Sequence, residues 1–224
     1  MAHLQSTSKD SGSVSSDTLA FGSAVTAGSL LVVSVRLGGV SATVAITDDK
    51  GNTWTQDKLQ AQGTDHRLSV HSAPNAAAGA TTLTATITGG PTTLRWAIHE
   101  YGSMATSAPV DVSAGAEGAD STSMSSGSNT TTVANCLLFG AASVVNTFSP
   151  AAGSGYTLRQ TLPASPNTKV ASEDQDLVAT GSWSATMTGG GASNGYACIM
   201  VAYKPAAGGA TPLTAQLSES LIYG

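Results

Sequence analysis

The chain has 224 residues, of which only 10% are charged, with 9 Lys or Arg against 14 Asp or Glu, where ordinary soluble domains carry roughly a quarter. A formal charge of -5 without any cluster of cations excludes a phosphate-reading surface, so nucleic acid is set aside as a partner. No apolar run approaches the roughly 20 residues that a membrane-spanning helix needs, and a membrane is set aside as well.

Residues 1–18 are Ser-rich and carry no period, which predicts an N-terminal arm. They also lack the basic region and apolar core of a secretory leader, so synthesis in a cytoplasm is expected. Residues 19–25 read as a weak strand. Residues 29–37, SLLVVSVRL, are apolar at nearly every position, as in a strand covered on both faces. Val44 and Ile46 alternate within residues 42–47, Asp48-Asp49-Lys50-Gly51-Asn52 supplies turn residues, and residues 53–59 return. A hairpin with Trp54 at its root is the expectation. Residues 66–72 place Leu68 and Val70 on one face. In residues 81–101, Leu83, Ala85 and Ile87 oppose Thr82, Thr84, Thr86 and Thr88, and Gly89-Gly90-Pro91 breaks the run. Leu94, Trp96, Ile98 and Glu100 then oppose Arg95, Ala97, His99 and Tyr101, which predicts a second hairpin.

Residues 102–128 hold few aliphatics and read as loop with short edge strands. Residues 129–133, 136–145, 156–162, 169–179, 182–187 and 196–203 read as strands, and no segment of ten or more residues carries a capped helical period. Many short strands with Gly, Pro and Asn turns predict an all-β, antiparallel β-sandwich or jelly roll over residues 19–205. The second half echoes the first. Residues 182–190, SWSATMTGG, repeat residues 82–90, TLTATITGG, with Trp183 for Leu83 and Met187 for Ile87. Residues 153–157 match 51–55, residues 133–139 match 27–33 loosely, and residues 196–203 match 96–101. An internal pseudo-repeat of two strand sets and a chance likeness of Thr/Ala/Gly-rich strands both remain open on these residues.

After Lys204-Pro205, residues 206–224 begin with a Gly/Ala linker. Leu213, Leu217, Leu221 and Tyr223 then share one parity, a strand pattern whose apolar face needs its own domain or a neighbour's sheet edge. It is read as an assembly arm. Chemistry is sparse elsewhere. Gly191-Ala192-Ser193-Asn194-Gly195 fits G-x-S-x-G but sits between a Gly-rich turn and a strand, where a nucleophile elbow needs a strand and then a helix. No catalytic residue is assigned. His3, His66, His71 and His99 show no metal spacing, and His66 and His71 have opposite parity on one strand. Asp48 with Asp49, and Glu173 with Asp174 and Asp176, could offer oxygens to Ca²⁺, although neither group has the spacing of a calcium loop and a solvated turn is the competing reading. No other metal or cofactor is assigned. Trp54 and Tyr156 each follow a turn and are the candidates for stacking on sugar rings, whereas Trp96 and Trp183 fall on core parities. Cys136 and Cys198 read as buried free thiols, with a bridge open only if their strands are adjacent.

Residues 27–33, Asp48-Asp49-Lys50-Gly51-Asn52-Thr53-Trp54, His99-Glu100-Tyr101 and residues 196–204 together resemble a β-sandwich domain of tailed-phage virion proteins, related to sandwich domains of bacterial surface and carbohydrate-binding proteins. The resemblance covers residues 19–205 and carries over no catalytic residues. It implies a non-enzymatic structural protein at the virion surface, made in the host cytoplasm: an outer capsid decoration protein, or else a tail component. Its partners would be copies of itself, in the simplest case as a trimer, and other virion proteins. The alternative is a carbohydrate-binding module that attaches to surface glycans.

Overall fold

The computed structural model describes residues 1–190 and 195–207, so Ser193 and the assembly-arm residues Leu213, Leu217, Leu221 and Tyr223 lie outside the described residues. The protein is all-β, with no helix among the described residues. In chain order the strands are β1 (Ala2–Val14), β2 (Ser16–Ala20), β3 (Leu30–Gly38), β4 (Thr43–Asp48), β5 (Thr55–Gln62), β6 (His66–Ala73), β7 (Thr82–Thr88), β8 (Thr92–Gly102), β9 (Val110–Gly118), β10 (Met124–Ser125), β11 (Asn129–Thr130), β12 (Leu137–Ala151), β13 (Thr157–Leu162), β14 (Thr168–Asp176), β15 (Ser182–Trp183), β16 (Thr186–Gly190) and β17 (Tyr196–Tyr203).

In the first half, β1-β8-β3-β6-β5 form an antiparallel sheet and β2-β7-β4 a smaller one. Alternation dictates which faces meet. Leu31, Val33, Val35 and Leu37 of β3 and Leu94, Trp96 and Ile98 of β8 pack against Leu83, Ala85 and Ile87 of β7 in one core. The two expected hairpins are therefore corrected: β7 and β8 belong to different sheets, as do β4 and β5. A period of two fixes the buried face but is the same whether neighbours pair edge to edge or stack across a core. Gly89 and Gly90, at φ of 100° and 103°, let the chain arch from one sheet to the other.

The second half repeats this plan. Its large sheet runs β9-β17-β12-β14-β13, in the same order as β1-β8-β3-β6-β5, and the outer fragments β10-β16 and β11-β15 stand where β2-β7 stands in the first half. Strand β12 covers two roles. Its first part pairs with β14 and β17 as β3 does with β6 and β8, and its last three residues pair with β16 as β4 does with β7. Trp183 opposite Asn129 matches Leu83 opposite Leu19, so the echo of 82–90 in 182–190 is an equivalence in space. One sequence match shifts: Leu30 pairs with Tyr101 and Leu137 with Tyr203, so Leu30 is equivalent to Leu137, not to Cys136. A one-residue slip reverses the face, and Cys136 indeed lies in a different core from Leu30.

Two sandwiches of this kind stack through their large sheets, giving three cores in line. The first lies inside one sandwich, the third inside the other, and the middle one brings Leu30, Val32, Leu68, Val70 and Tyr101 against Phe139, Val170, Ile199, Val201 and Tyr203. Edge contacts are reciprocal: β1 lies against β13 and β5 against β9. This is an isologous arrangement inside one chain, a pseudo-dimer.

Residues 1–18 are not a free arm, which corrects that expectation: β1 pairs with β8 along its length and β2 with β7. Apolar period could not reveal β1, because its contact with the other sandwich is polar. Ser8 donates to Gln160 at 2.8 Å, and Gln160 donates to Ser6 at 2.8 Å. Its counterpart β9 is longer than the short edge strands expected in residues 102–128, because beyond Val110 and Val112 its residues are Ser, Gly, Ala and Glu and show no apolar period.

Candidate functional site

The pseudo-dimer creates two equivalent clefts, one at each end of the middle core. Each is built from the same three positions. The first is a tyrosine ending the inner strand, Tyr101 on β8 or Tyr203 on β17. The second is the extra residue of a bulge, Asp57 between Gln56 and Lys58 on β5 or Arg159 between Leu158 and Gln160 on β13. A bulge re-aims its side chain, here toward the opposite sandwich. The third is Ser72 on β6 or Asp174 on β14, which oppose Thr55 and Thr157 in matching registers.

In the cleft at Asp174 the chemistry is closed within the chain. Tyr101 Oη donates to Asp174 Oδ2 at 2.8 Å, Arg159 Nε donates to the same oxygen at 2.7 Å, and Arg159 Nη2 donates to Oδ1 at 2.8 Å. The fork of the guanidinium matches the carboxylate. Beside it the His3 ring stands edge-on to Tyr101 at 5.4 Å, and burial, then the Arg159 charge, hold the His3 imidazole below its usual range. His99, next to Tyr101, meets Phe139 edge-on at 5.1 Å and shares a hydrogen bond with Ser172 at 3.2 Å. The remaining space is about 110 Å³.

In the cleft at Asp57 the carboxylate has moved to the bulge and its cation is missing. Tyr203 Oη donates to Asp57 Oδ2 at 2.6 Å, and Ser72 lines the cleft beside it. Burial pushes the Asp57 carboxyl above the usual carboxylate range in spite of these neighbouring hydroxyls. Both tyrosines are driven well above theirs, first by burial and then by the neighbouring aspartate, so each stays a neutral donor. The space is larger, about 350 Å³, with Pro74, Pro109, Val110 and the threonines 53 and 55 around it. Thr53, Thr55, Pro74 and Val110 stand where Gly155, Thr157, Asp176 and His3 stand in the cleft at Asp174.

The residues singled out in the sequence fall elsewhere for the most part. Asp48 is consumed by its own turn, accepting from the backbone of Lys50 and Asn52, from the Asn52 amide and from Trp54 Nε1 at 2.8 Å. Asp49 caps the backbone of Thr82. Glu173 and Asp174 point to opposite faces of β14: Glu173 accepts from Gly153 N at 2.8 Å inside the third core, away from the Asp174 cleft, whereas the exposed Asp176 lines that cleft and pairs with the Met1 ammonium at 3.0 Å. Among the described residues no three His, Cys, Asp or Glu side chains converge as for a metal ion. Trp54 and Tyr156 are equivalent to one another, as the sequence match states, but each is half-buried against its own sandwich core. Their polar atoms are spent on Asp48 and on the Ser184 carbonyl at 2.7 Å, so neither ring lies open as a platform. His66 and His71 face opposite ways, the first between Asp65 and Ser143, the second toward Ser69. Both cysteines are free and buried.

Asp57, Ser72, Arg159 and Tyr203 were not singled out. A signal existed in the match of 96–101 to 196–203, which pairs the two terminal tyrosines, but the bulges that bring Asp57 and Arg159 to them leave no mark on composition. No protein-family model, no curated protein and no solved structure matches the chain.

Proposed function

We propose that this protein is a non-enzymatic structural component of a tailed-phage virion, an outer capsid decoration protein in preference to a tail component. The observation that supports it is the pseudo-dimer itself: two sandwiches locked through a common core, with hydrogen bonds such as Ser8 to Gln160 and Tyr101 to Asp174 between them. The outer sheets turn short hydroxyl side chains to solvent, Ser16 and Thr18 on β2, Thr86 and Thr88 on β7, Thr43 and Thr47 on β4. Such a rigid, charge-poor slab suits packing on a protein lattice, since few long side chains lose freedom when it docks. Among the described residues β4 pairs only with β7 and leaves a free sheet edge, the kind of partner that a sequence with the alternating pattern of residues 213–223 requires. Self-association through this arm, in the simplest case into trimers, completes the proposal.

The test is mass spectrometry of purified particles from the culture that encodes the chain. Recovery in stoichiometric amount with the shell proteins is expected, and absence from purified particles would overturn the assignment. A carbohydrate-binding module is the second reading; the fold allows it, but the half-burial of Trp54 and Tyr156 weakens it. Saturable binding to a glycan array would favour it over the virion role.

A further inference from the structure

We propose that the Asp57 cleft is a receptor for a basic side chain, a lysine or arginine inserted by a neighbouring protein subunit. The protein supplies its own reference. At the Asp174 cleft the same tyrosine position and the same fold hold a carboxylate, and there the chain provides a guanidinium, Arg159, from the bulge of β13. At the Asp57 cleft the bulge position is taken by the carboxylate itself and the β6 position by Ser72, so no residue is left to bring a cation. Asp57 accepts from the Tyr203 hydroxyl, with Ser72 beside it, and is bonded by no lysine or arginine of the described residues. The adjacent Lys58 is turned toward Gly115 of β9.

The empty volume is also in the right place. It is about 350 Å³ against about 110 Å³ in the mate that holds its own arginine. Pro74, Pro109 and Val110 form apolar walls, which suit the methylene stem of a long basic side chain whose charged head reaches the carboxylate. A carboxylate whose ionisation burial disfavours gains from an arriving cation, because the pair then shares a site of low dielectric. Beside Asp57 the lining carries no second charged group, so an anion finds nothing to recognise. The neighbouring subunit as the source of the side chain rests on the assembly role proposed above; the binding chemistry does not.

The experiment uses the full chain, isotopically labelled, titrated with blocked tripeptides Ala-Lys-Ala and Ala-Arg-Ala, with Ala-norleucine-Ala as the neutral isostere and butylammonium chloride as the free amine, all at one ionic strength. Saturable shifts at the amides of Thr53, Thr55, Ser72 and Val110 are expected with the lysine or the arginine peptide and not with norleucine. Asp57→Asn is expected to weaken binding about tenfold or more, the loss of a charged hydrogen-bond partner. Thr53→Trp, at an exposed position on the rim, keeps Asp57 and closes the mouth, so it should abolish binding even if the Asp57 variant fails to fold. Equal binding of the norleucine peptide, no saturable shift with either basic peptide, or unchanged affinity in Thr53→Trp would overturn the proposal. Tighter binding of butylammonium than of both peptides would overturn the subunit as the source. None of these results bears on whether the chain is found in particles, so the two proposals fail separately.

Discussion

Replacing Arg159 with Met tests the asymmetry of the two clefts at its closed end. The Asp174 side chain is 5% exposed and that of Arg159 27%, and the carboxylate accepts three hydrogen bonds, two of them from the guanidinium. Removing one partner of a buried pair costs about 3–5 kcal/mol, because the other charge is left without compensation. Arg159 keeps contact with solvent, so water can take up part of its role, and the lower end applies, about 3 kcal/mol. For a chain of this size each kcal/mol moves the melting temperature by about 2–4 °C, which places the variant roughly 6–12 °C below the wild type. The assay is reversible thermal or urea unfolding of the wild type, Arg159→Met, Asp174→Asn and the double variant. The double variant removes the orphaned charge and should recover about 2 kcal/mol of the loss, a coupling that the cycle isolates. A single variant within about 0.5 kcal/mol of wild type, the range of an ordinary surface substitution, or a double variant no more stable than the single, would refute the reasoning.

Burial, as the first cause in each, holds His66 and His71 down to about 4 and His99 to about 3. The stability these neutral rings contribute is present above about pH 6.5 and lost as pH falls through 4 for His66 and His71, at about 3 kcal/mol each, and through 3 for His99, at about 5 kcal/mol; the urea midpoint should drop steeply between pH 6.5 and 4, and a flat profile there would contradict it. Glu173 runs the other way, lifted to about 7 by burial, so its contribution is present below about pH 4.5 and lost as pH rises through 7. Glu173→Gln should therefore unfold at higher urea than wild type at pH 8, by up to about 3 kcal/mol, and match it near pH 5; no gain at pH 8 counts against a buried carboxyl. Cys136 is pushed up to about 11 and Cys198 higher still, both chiefly by burial, so a thiol reagent should find none reactive in the native protein and both in denaturant without reductant; fewer than two in denaturant would mean a bridge.

The strands were legible where one face is apolar and the other is not. Leu83, Ala85 and Ile87 against four threonines give β7, and the apolar run at Leu30 gives β3, because it is buried by a sandwich core on one side and by the second sandwich on the other. Pairing was not legible, since the side chains of β7 and β8 alternate identically whether the strands bond or stack. The edge strand β1 escaped for a related reason, and β9 showed only as short edge strands: an edge such as β1 that meets its neighbour through Ser6, Ser8 and Gln160 has no hydrophobic period to show. The repeat could be read in 82–90 and 182–190, where the spacing is unbroken, and slipped by one at Leu30 because residue identity alone does not fix register in a run that is apolar throughout. Of the clefts, Asp174 and Asp176 were flagged, as calcium oxygens; the partner that decides the chemistry of Asp174, Arg159, lies 15 residues earlier in the chain and reaches it only through the β13 bulge.

Sedimentation equilibrium of the full-length protein tests the assembly role most directly. A discrete homo-oligomer, a trimer in the simplest case, is the expected result, falling to monomer when residues 206–224 are deleted while the fold survives. A full-length chain that stays monomeric at every concentration would contradict it.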